Sequence, residues 1–302
     1  MAIILETNNL TKEFNGHKAV DQINLQIEQG EIYGLIGRNG AGKTTLMRMI
    51  CGLAHPSSGS YKIFGRKINS DSLAIKRVSC LIENTGIYPN LTAEDHLLLK
   101  TLALGIPNQK DIQETLKLVG LENTGRKKVK QFSLGMKQRL GIALALLGKP
   151  DLIVLDEPIN GLDPQGIVEV RELIEQLNRD KGITFMISSH ILAELAKFST
   201  RFGIIDNGQL IADFSREELD KQNRNRIEIG SSEVEKAVTI LDELAITEYK
   251  VVRDNKIFIF EGMDRSGEIV TALVKADVPI ETFNVHQASL EDSYLTLTNG
   301  RK

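Results

Sequence analysis

The residues with the plainest chemical purpose lie in "LIGRNGAGKTTLMRMI", where Gly37, Gly42, Lys43 and Thr44 keep the order glycine, four residues, glycine, lysine, threonine. Glycines at 37, 40 and 42 let a backbone fold around an anion without side chains in the way, so that its N–H groups and those of a following helix face phosphate oxygens. Arg38, Asn39, Ala41 and Thr45 complete that loop. An ammonium at Lys43 neutralises β- and γ-phosphate charge, and a hydroxyl at Thr44 suits Mg2+. The bland alternative is a glycine turn with no ligand. A second stretch, "DLIVLDEP", ends an apolar run on two acids. Asp156 is the candidate to hold Mg2+ and Glu157 to polarise an attacking water, against a structural reading as solvated acids before Pro158. A third, "ITFMISSH", ends in His190, placed to donate a hydrogen bond to the γ-phosphate or to the partner of the water.

These groups need elements that bring them together. "EIYGLIG" reads as a strand before the glycine loop, and Thr44 to Ile50 as a helix after it. The apolar run of "DLIVLDEP" suits a parallel strand buried on both faces, with "ITFMISSH" as the strand beside it and ligands gathered at their carboxyl ends. In "NGLDPQGIVEVRELIEQLN", Asp163 is a helix N-cap and Pro164 the first helical residue. Ile167, Val170, Leu173, Ile174 and Leu177 make the apolar stripe of that helix. "FSLGMKQRLGIA" is a small-polar, glycine-containing corner running into another helix, a second place where free N–H groups suit an anion. In "DQINLQIEQGEIYGLIG", alternation puts Ile23, Leu25 and Ile27 on one face of an antiparallel sheet.

The chain has 302 residues, 41% hydrophobic and 25% charged, which suits one large and one small domain with ample core. A net charge of −3 gives no argument for nucleic-acid binding, and none is expected. Apolar runs fall short of the ~18–20 residues that cross a bilayer. "MAIILETNNL" lacks the pattern of a secretory signal, so a cytoplasmic chain is expected. Cys51 and Cys80 have no metal-like spacing and read as small buried hydrophobes. Residues from about 87 to 148 read as helical, with the basic run "RKKVK" taken as a solvated face. After "DNGQLIADF" and the polar "SREELDKQNRN", the order is strand, helix, hairpin turning at Asp254–Asn255, helix, strand and a closing helix, "SLEDSYLTLT". That order suits a small ferredoxin-like sandwich.

In their order, these motifs resemble the ATP-binding cassette family over residues 3 to about 215. The resemblance implies an α/β P-loop NTPase cassette over 1–215, with a mixed sheet core, an antiparallel β subdomain and a helical subdomain at about 87–148. Residues 216–302 would be an accessory α+β domain. It also implies that ATP with Mg2+ is held by the phosphate loop and closed over by the signature of a second cassette. Ser133 and the N–H of Gly135 would contact the γ-phosphate of the partner cassette's ATP, and Asp163 would communicate across the same seam. Phe14 stands where the family stacks an aromatic on adenine, its alternative being a core residue. The family usually has glycine at Leu134 and glutamine at Met136; the serine and glycine pair remains. Glu83 occupies the position of a customary glutamine that ligates Mg2+ and water, a role its oxygens can still fill.

"IENTGIYPNLTAEDHL" and "SLGMKQRLGIA" look like the bacitracin and lantibiotic-immunity exporter branch. The function this implies is an ATPase subunit, peripheral on the inner face of the membrane, that drives a separate permease through ATP-dependent pairing of cassettes. Its partner is a second copy or a different cassette. The alternative is a soluble ATPase of the same family acting on ribosomes or DNA. Such relatives usually fuse two cassettes or carry long coiled coils, and this chain has neither.

Overall fold

Apolar runs bounded by glycine and proline become strands, and capped amphipathic runs become helices. The computed structural model describes residues 2–68, 73–82, 86–222, 225–252 and 255–286. It divides into two units, Met1–Arg216 and Glu217–Lys302. The first begins with β1 (Ile3–Phe14), β2 (His17–Ile23), β3 (Gln26–Glu28), β4 (Ile32–Ile36), α1 (Lys43–Ile50), β5 (Ser58–Ile63), β6 (Arg66–Lys67) and β7 (Val78–Leu81). Three helices follow, α2 (Ala93–Ala103), α3 (Gln109–Leu118) and α4 (Leu134–Leu146). The chain then returns through β8 (Leu152–Asp156), α5 (Pro164–Lys181), β9 (Thr184–Ser189), α6 (Leu192–Phe198), β10 (Arg201–Asp206) and β11 (Gln209–Ser215).

A six-stranded sheet, ordered β11-β10-β4-β9-β8-β7, forms the centre of this unit. Every pair in it is parallel except the β10–β11 hairpin. β4 and β9, each with a strand on either side, are buried along their whole length. A second, antiparallel sheet has the order β2-β1-β5-β6, with β3 also on β1. Ile23, Leu25 and Ile27 are all 1% exposed or less, so the expected alternation holds. The run is broken into β2 and β3 at Asn24–Leu25, where the buried Thr7 hydroxyl donates to Ile23 O (2.9 Å) and accepts from Leu25 N (2.8 Å).

Local chemistry fixes the helix starts. Thr92 and Asp95 form a reciprocal capping box on α2, and Asn108, Ser133 and Asp163 cap α3, α4 and α5 through their side chains. Pro164 opens α5, and Val170, Leu173, Ile174 and Leu177 are buried, with Ile167 half-buried. Cys51 and Cys80 depart from expectation: both are half-buried. Cys51 caps the end of α1 and Cys80 lies on β7, the last strand of its sheet, so neither reaches the closed interior.

The boundary between the units falls at the first residue of α7 (Arg216–Gln222), and the second unit continues with β12 (Arg226–Gly230), α8 (Val234–Glu243), β13 (Tyr249–Val252), β14 (Lys256–Ile259), α9 (Ser266–Lys275) and β15 (Thr282–His286). Its sheet is ordered β13-β14-β12-β15, antiparallel throughout. Ile227, Ile229, Ile257 and Ile259 pack with Leu241 of α8 and Ile269 and Leu273 of α9. Asp254 and "SLEDSYLTLT" lie outside the described residues. Among the described residues no helix is long and apolar enough to cross a membrane.

Tyr33, on β4, is fully buried, and its hydroxyl has no hydrogen-bond partner. It stands where a side chain on Gly203 of the neighbouring β10 would have to go. A buried unpaired hydroxyl costs about 1–3 kcal/mol. Tyr33→Phe should therefore raise stability by roughly 1 kcal/mol in urea unfolding; a loss of stability would mean that the hydroxyl is bonded.

Candidate functional site

The order of the parallel strands brings three chain segments to one crevice. β4, β9 and β8 are adjacent, and beyond their carboxyl ends lie Gly37, His190 and Glu157. The register is level: Ile36 pairs with Ser189, and Ser188 with Asp156. This is the edge at which open α/β sheets bind ligands.

From Gly37 to Gly42 the loop turns with little free space. A Cβ on Gly37 would lie 2.5 Å from Ile205 O. Gly42 has φ of 108°, and a Cβ there would strike Ala19 O. Gly42 occupies the N-cap of α1 and offers no side-chain cap, so the dipole and N–H groups of that helix end are left for an anion. Arg38, Asn39 and Gly40 are exposed, Ala41 is buried, and Thr44 and Thr45 are half-buried. Lys43 is only 5% exposed. Its Nζ donates to Gly37 O (2.7 Å) and Arg38 O (3.2 Å) and lies 3.3 Å from Glu157 Oε1.

Opposite the loop, Thr44 Oγ1 donates to Asp156 Oδ2 at 2.7 Å. The other Asp156 oxygen accepts from Ser188 Oγ at 2.5 Å, and that same Oγ accepts from the Glu157 N–H at 2.9 Å. Glu157 sits at φ of 50°, a costly backbone for a residue with a side chain. The Ser188 bond and a 2.8 Å contact between His190 Nδ1 and Glu157 Oε2 hold it there. Apart from its 3.3 Å approach to Lys43, Oε1 is buried and unbonded. Lys43, Thr44, Asp156, Glu157 and His190 thus form one cluster. Ser188 was missed in the sequence, although polar "SSH" closing an apolar strand is the signal that marks it.

The second group lies elsewhere. Ser133, Leu134, Gly135, Arg139, Leu162 and Asp163 line a cleft of about 470 Å³ to which the phosphate loop contributes nothing. Gly135 lies against Gly166 and Leu162, and a Cβ on Gly161 would lie 3.3 Å from Leu134 Cδ2, which accounts for the tight turn at 160–163. Ser133 is exposed and accepts from Met136 N (3.2 Å), and Asp163 Oδ1 accepts from Gly166 N (2.9 Å). Phe14 is 51% exposed, which removes the core alternative, and Lys12 Nζ stands 5.0 Å from its ring centre. Glu83 lies outside the described residues.

A loop able to wrap phosphates, acids at the adjoining strand end and a mixed sheet beside an antiparallel one define an ATP-binding cassette. The sequence model of the ABC transporter family matches residues 20–160, and the chain belongs to that family as an ATP-binding subunit that hydrolyses ATP. It is similar to the bacitracin transport ATP-binding protein BcrA of Bacillus licheniformis, at 41% identity over 302 residues, covering 99% of both chains. The lantibiotic transport ATP-binding protein SrtF of Streptococcus pyogenes is 43% identical over 208 residues, 69% of this chain and 89% of SrtF. Among solved structures, the dimeric post-hydrolysis state of the cassette MJ0796 bound to ADP and Pi matches with a TM-score of 0.63 at 26% identity, covering 70% of this chain and 99% of that one.

Ser188 touches no reacting atom in this arrangement; it positions Asp156 and Glu157. Hydrogen bonds to charged groups contribute about 1.5–3 kcal/mol, so Ser188→Ala should lower ATP turnover by roughly 10–100-fold. Steady-state hydrolysis measures it, and unchanged turnover would remove Ser188 from the site.

Proposed function

We propose that this chain is the ATPase subunit of an exporter for a peptide antibiotic of the bacitracin class, acting on a separate membrane permease. One observation carries the choice of cargo: the likeness to bacitracin transport BcrA spans both units of the chain, whereas the likeness to SrtF covers 69% of it. Disrupting the gene in its host should make the cell several-fold more sensitive to bacitracin in an inhibition assay. Sensitivity gained only toward a lantibiotic would move the assignment to that class, and no change toward either would remove both.

In this reading, residues 37–45 cradle the phosphates of ATP, with Lys43 as the charge at the centre of the loop. The site carries Asp156 and Glu157 against one ammonium, so a polyphosphate needs a cation to offset the surplus. Paired hydroxyl and carboxylate oxygens of Thr44 and Asp156 fit a hard divalent ion. When bound, Mg2+ supplies further charge neutralisation on the phosphates, and Glu83 would be its third protein contact. Glu157 polarises the attacking water through its carboxylate, His190 orients that carboxylate through Nδ1, and Phe14, being exposed, is free to stack on the base.

The cleft at Ser133, Gly135 and Asp163 is the half-site for a second cassette, and its separation from the phosphate loop supports pairing between chains. A permease contact is supported by α2, which leaves Leu98, Leu99 and Leu102 exposed. Such a contact would hold the chain at the inner membrane face, with the helical region 87–148 as the docking subdomain. We also assign 1–215 as the cassette and 216–302 as an accessory ferredoxin-like domain, a reading supported by the sheet order β13-β14-β12-β15 with α8 and α9 packed together in one core with it.

Glu157→Gln keeps the shape but loses the base. It should lower turnover by ~10²–10⁴-fold while ATP still binds; undiminished hydrolysis would take Glu157 out of the mechanism.

A further inference from the structure

The cleft at Ser133 and Asp163 lies where α4 and α5 pack together, each helix starting from one of those two caps. Near the caps the backbones come close: a Cβ on Gly135 would lie 3.9 Å from Gly166 Cα. Further along, Arg139 is the sixth residue after Ser133 and Glu169 the sixth after Asp163. There the helices are joined again, with Arg139 Nη2 3.5 Å from Glu169 Oε2. At a rise of about 1.5 Å per residue this pair forms a rung ~9 Å below both caps.

The rung is anchored from a third helix. Arg139 Nη1 donates to Val119 O (3.2 Å) and Gly120 O (3.3 Å), just past the last turn of α3, where the helix dipole favours a cation. Gly120 leaves room for it: φ there is 65°, and a Cβ would lie 2.8 Å from Nη1. The Arg139 side chain is only 19% exposed, and its Nε is buried with no acceptor among the described residues. An unpaired buried donor is costly, so the contacts at the two ends of the guanidinium are what hold it in place. On α5, Glu169 Oε1 accepts from Gln165 Nε2 at 3.3 Å, which leaves Oε2 turned toward α4.

The geometry points to Arg139 and Glu169 as positioning residues that set the register of α4 against α5, and with it the spacing of Ser133, Gly135 and Asp163. The inference rests on the reading of those three residues as a half-site for a second cassette. A slip of α4 by one residue would carry Ser133 about 1.5 Å past Asp163, and a misplacement of about 1 Å is enough to disable a site of this kind. The contact of Gly135 with Gly166 presents little relief to oppose such a slip. A partly exposed ion pair adds little to stability. What it supplies is a choice of one register, because any other leaves the charges apart.

The test uses the full chain carrying Glu157→Gln, alone and with Arg139→Gln, Glu169→Gln or both. Light scattering against ATP concentration reads pairing, and binding of a fluorescent ATP analogue to the dilute monomer reads the phosphate loop. Either added substitution should raise the ATP concentration for half-pairing by about 2–5-fold and leave analogue affinity unchanged. The two together should do no more than Arg139→Gln does, since each acts through the other. Amide exchange in the nucleotide-free monomer reads the rung without any pairing: peptides spanning 134–141 and 164–171 should exchange faster in each variant, and those spanning α1 should not. If Arg139 only caps α3, Glu169→Gln will leave pairing and exchange as they were, which overturns the proposal; additive effects of the two substitutions overturn it too. A Glu157→Gln parent that never pairs with ATP removes the half-site reading and leaves the rung to be judged by exchange, where unchanged rates overturn it.

Discussion

The ammonium of Lys43 is the constraint around which the site is built. It is nearly sealed from water, and an unpaired buried charge costs several kcal/mol. Three oxygens answer it, from Gly37, Arg38 and Glu157. For the two carbonyls to face inward the loop must curl tightly, which is why Gly37 and Gly42 stand where a Cβ would meet backbone oxygens. For the carboxylate to arrive, an acid must emerge at the level of the loop from a nearby strand. The order β4-β9-β8 and the pairing of Ser188 with Asp156 meet that condition.

The remaining polar groups follow from having two acids side by side. Asp156 turns toward Thr44 and Ser188, Glu157 toward Lys43 and His190, so adjacent carboxylates are drawn in different directions by different partners. Ser188 serves both, accepting from the backbone of one and donating to the side chain of the other. In the same chain, the short turn after Glu157 leads to Asp163 and α5, which with α4 forms the cleft at Ser133 and Gly135. The acidic end of one half-site and the cleft of the other are therefore joined by a few residues, a direct route by which occupancy of one could be felt at the other in the proposed pair.

Much of this was legible because it depends on residue type at fixed spacing. Glycines 37, 40 and 42, the apolar strands, the acids after β8 and the Asp163–Pro164 helix start all leave local signals. What the sequence hid were contacts set by strand order. Nothing local tells Ser188 that it will lie opposite Asp156. Nor does composition say whether Phe14 is core or surface: it closes β1 beside the turn to β2, and exposure follows from that position. The break between β2 and β3 was likewise invisible, because a buried threonine clamps it from another strand.

The central claim is that each chain carries two incomplete halves of a site. Light scattering on Glu157→Gln, with and without ATP, tests it most directly, because slow turnover keeps any ATP-held pair intact. The account predicts a monomer without ATP and a dimer with it, and a monomer in both conditions when Ser133→Glu is added to set a like charge against the phosphate. An ATP-bound Glu157→Gln chain that remains a monomer, or a dimer indifferent to Ser133→Glu, would contradict it.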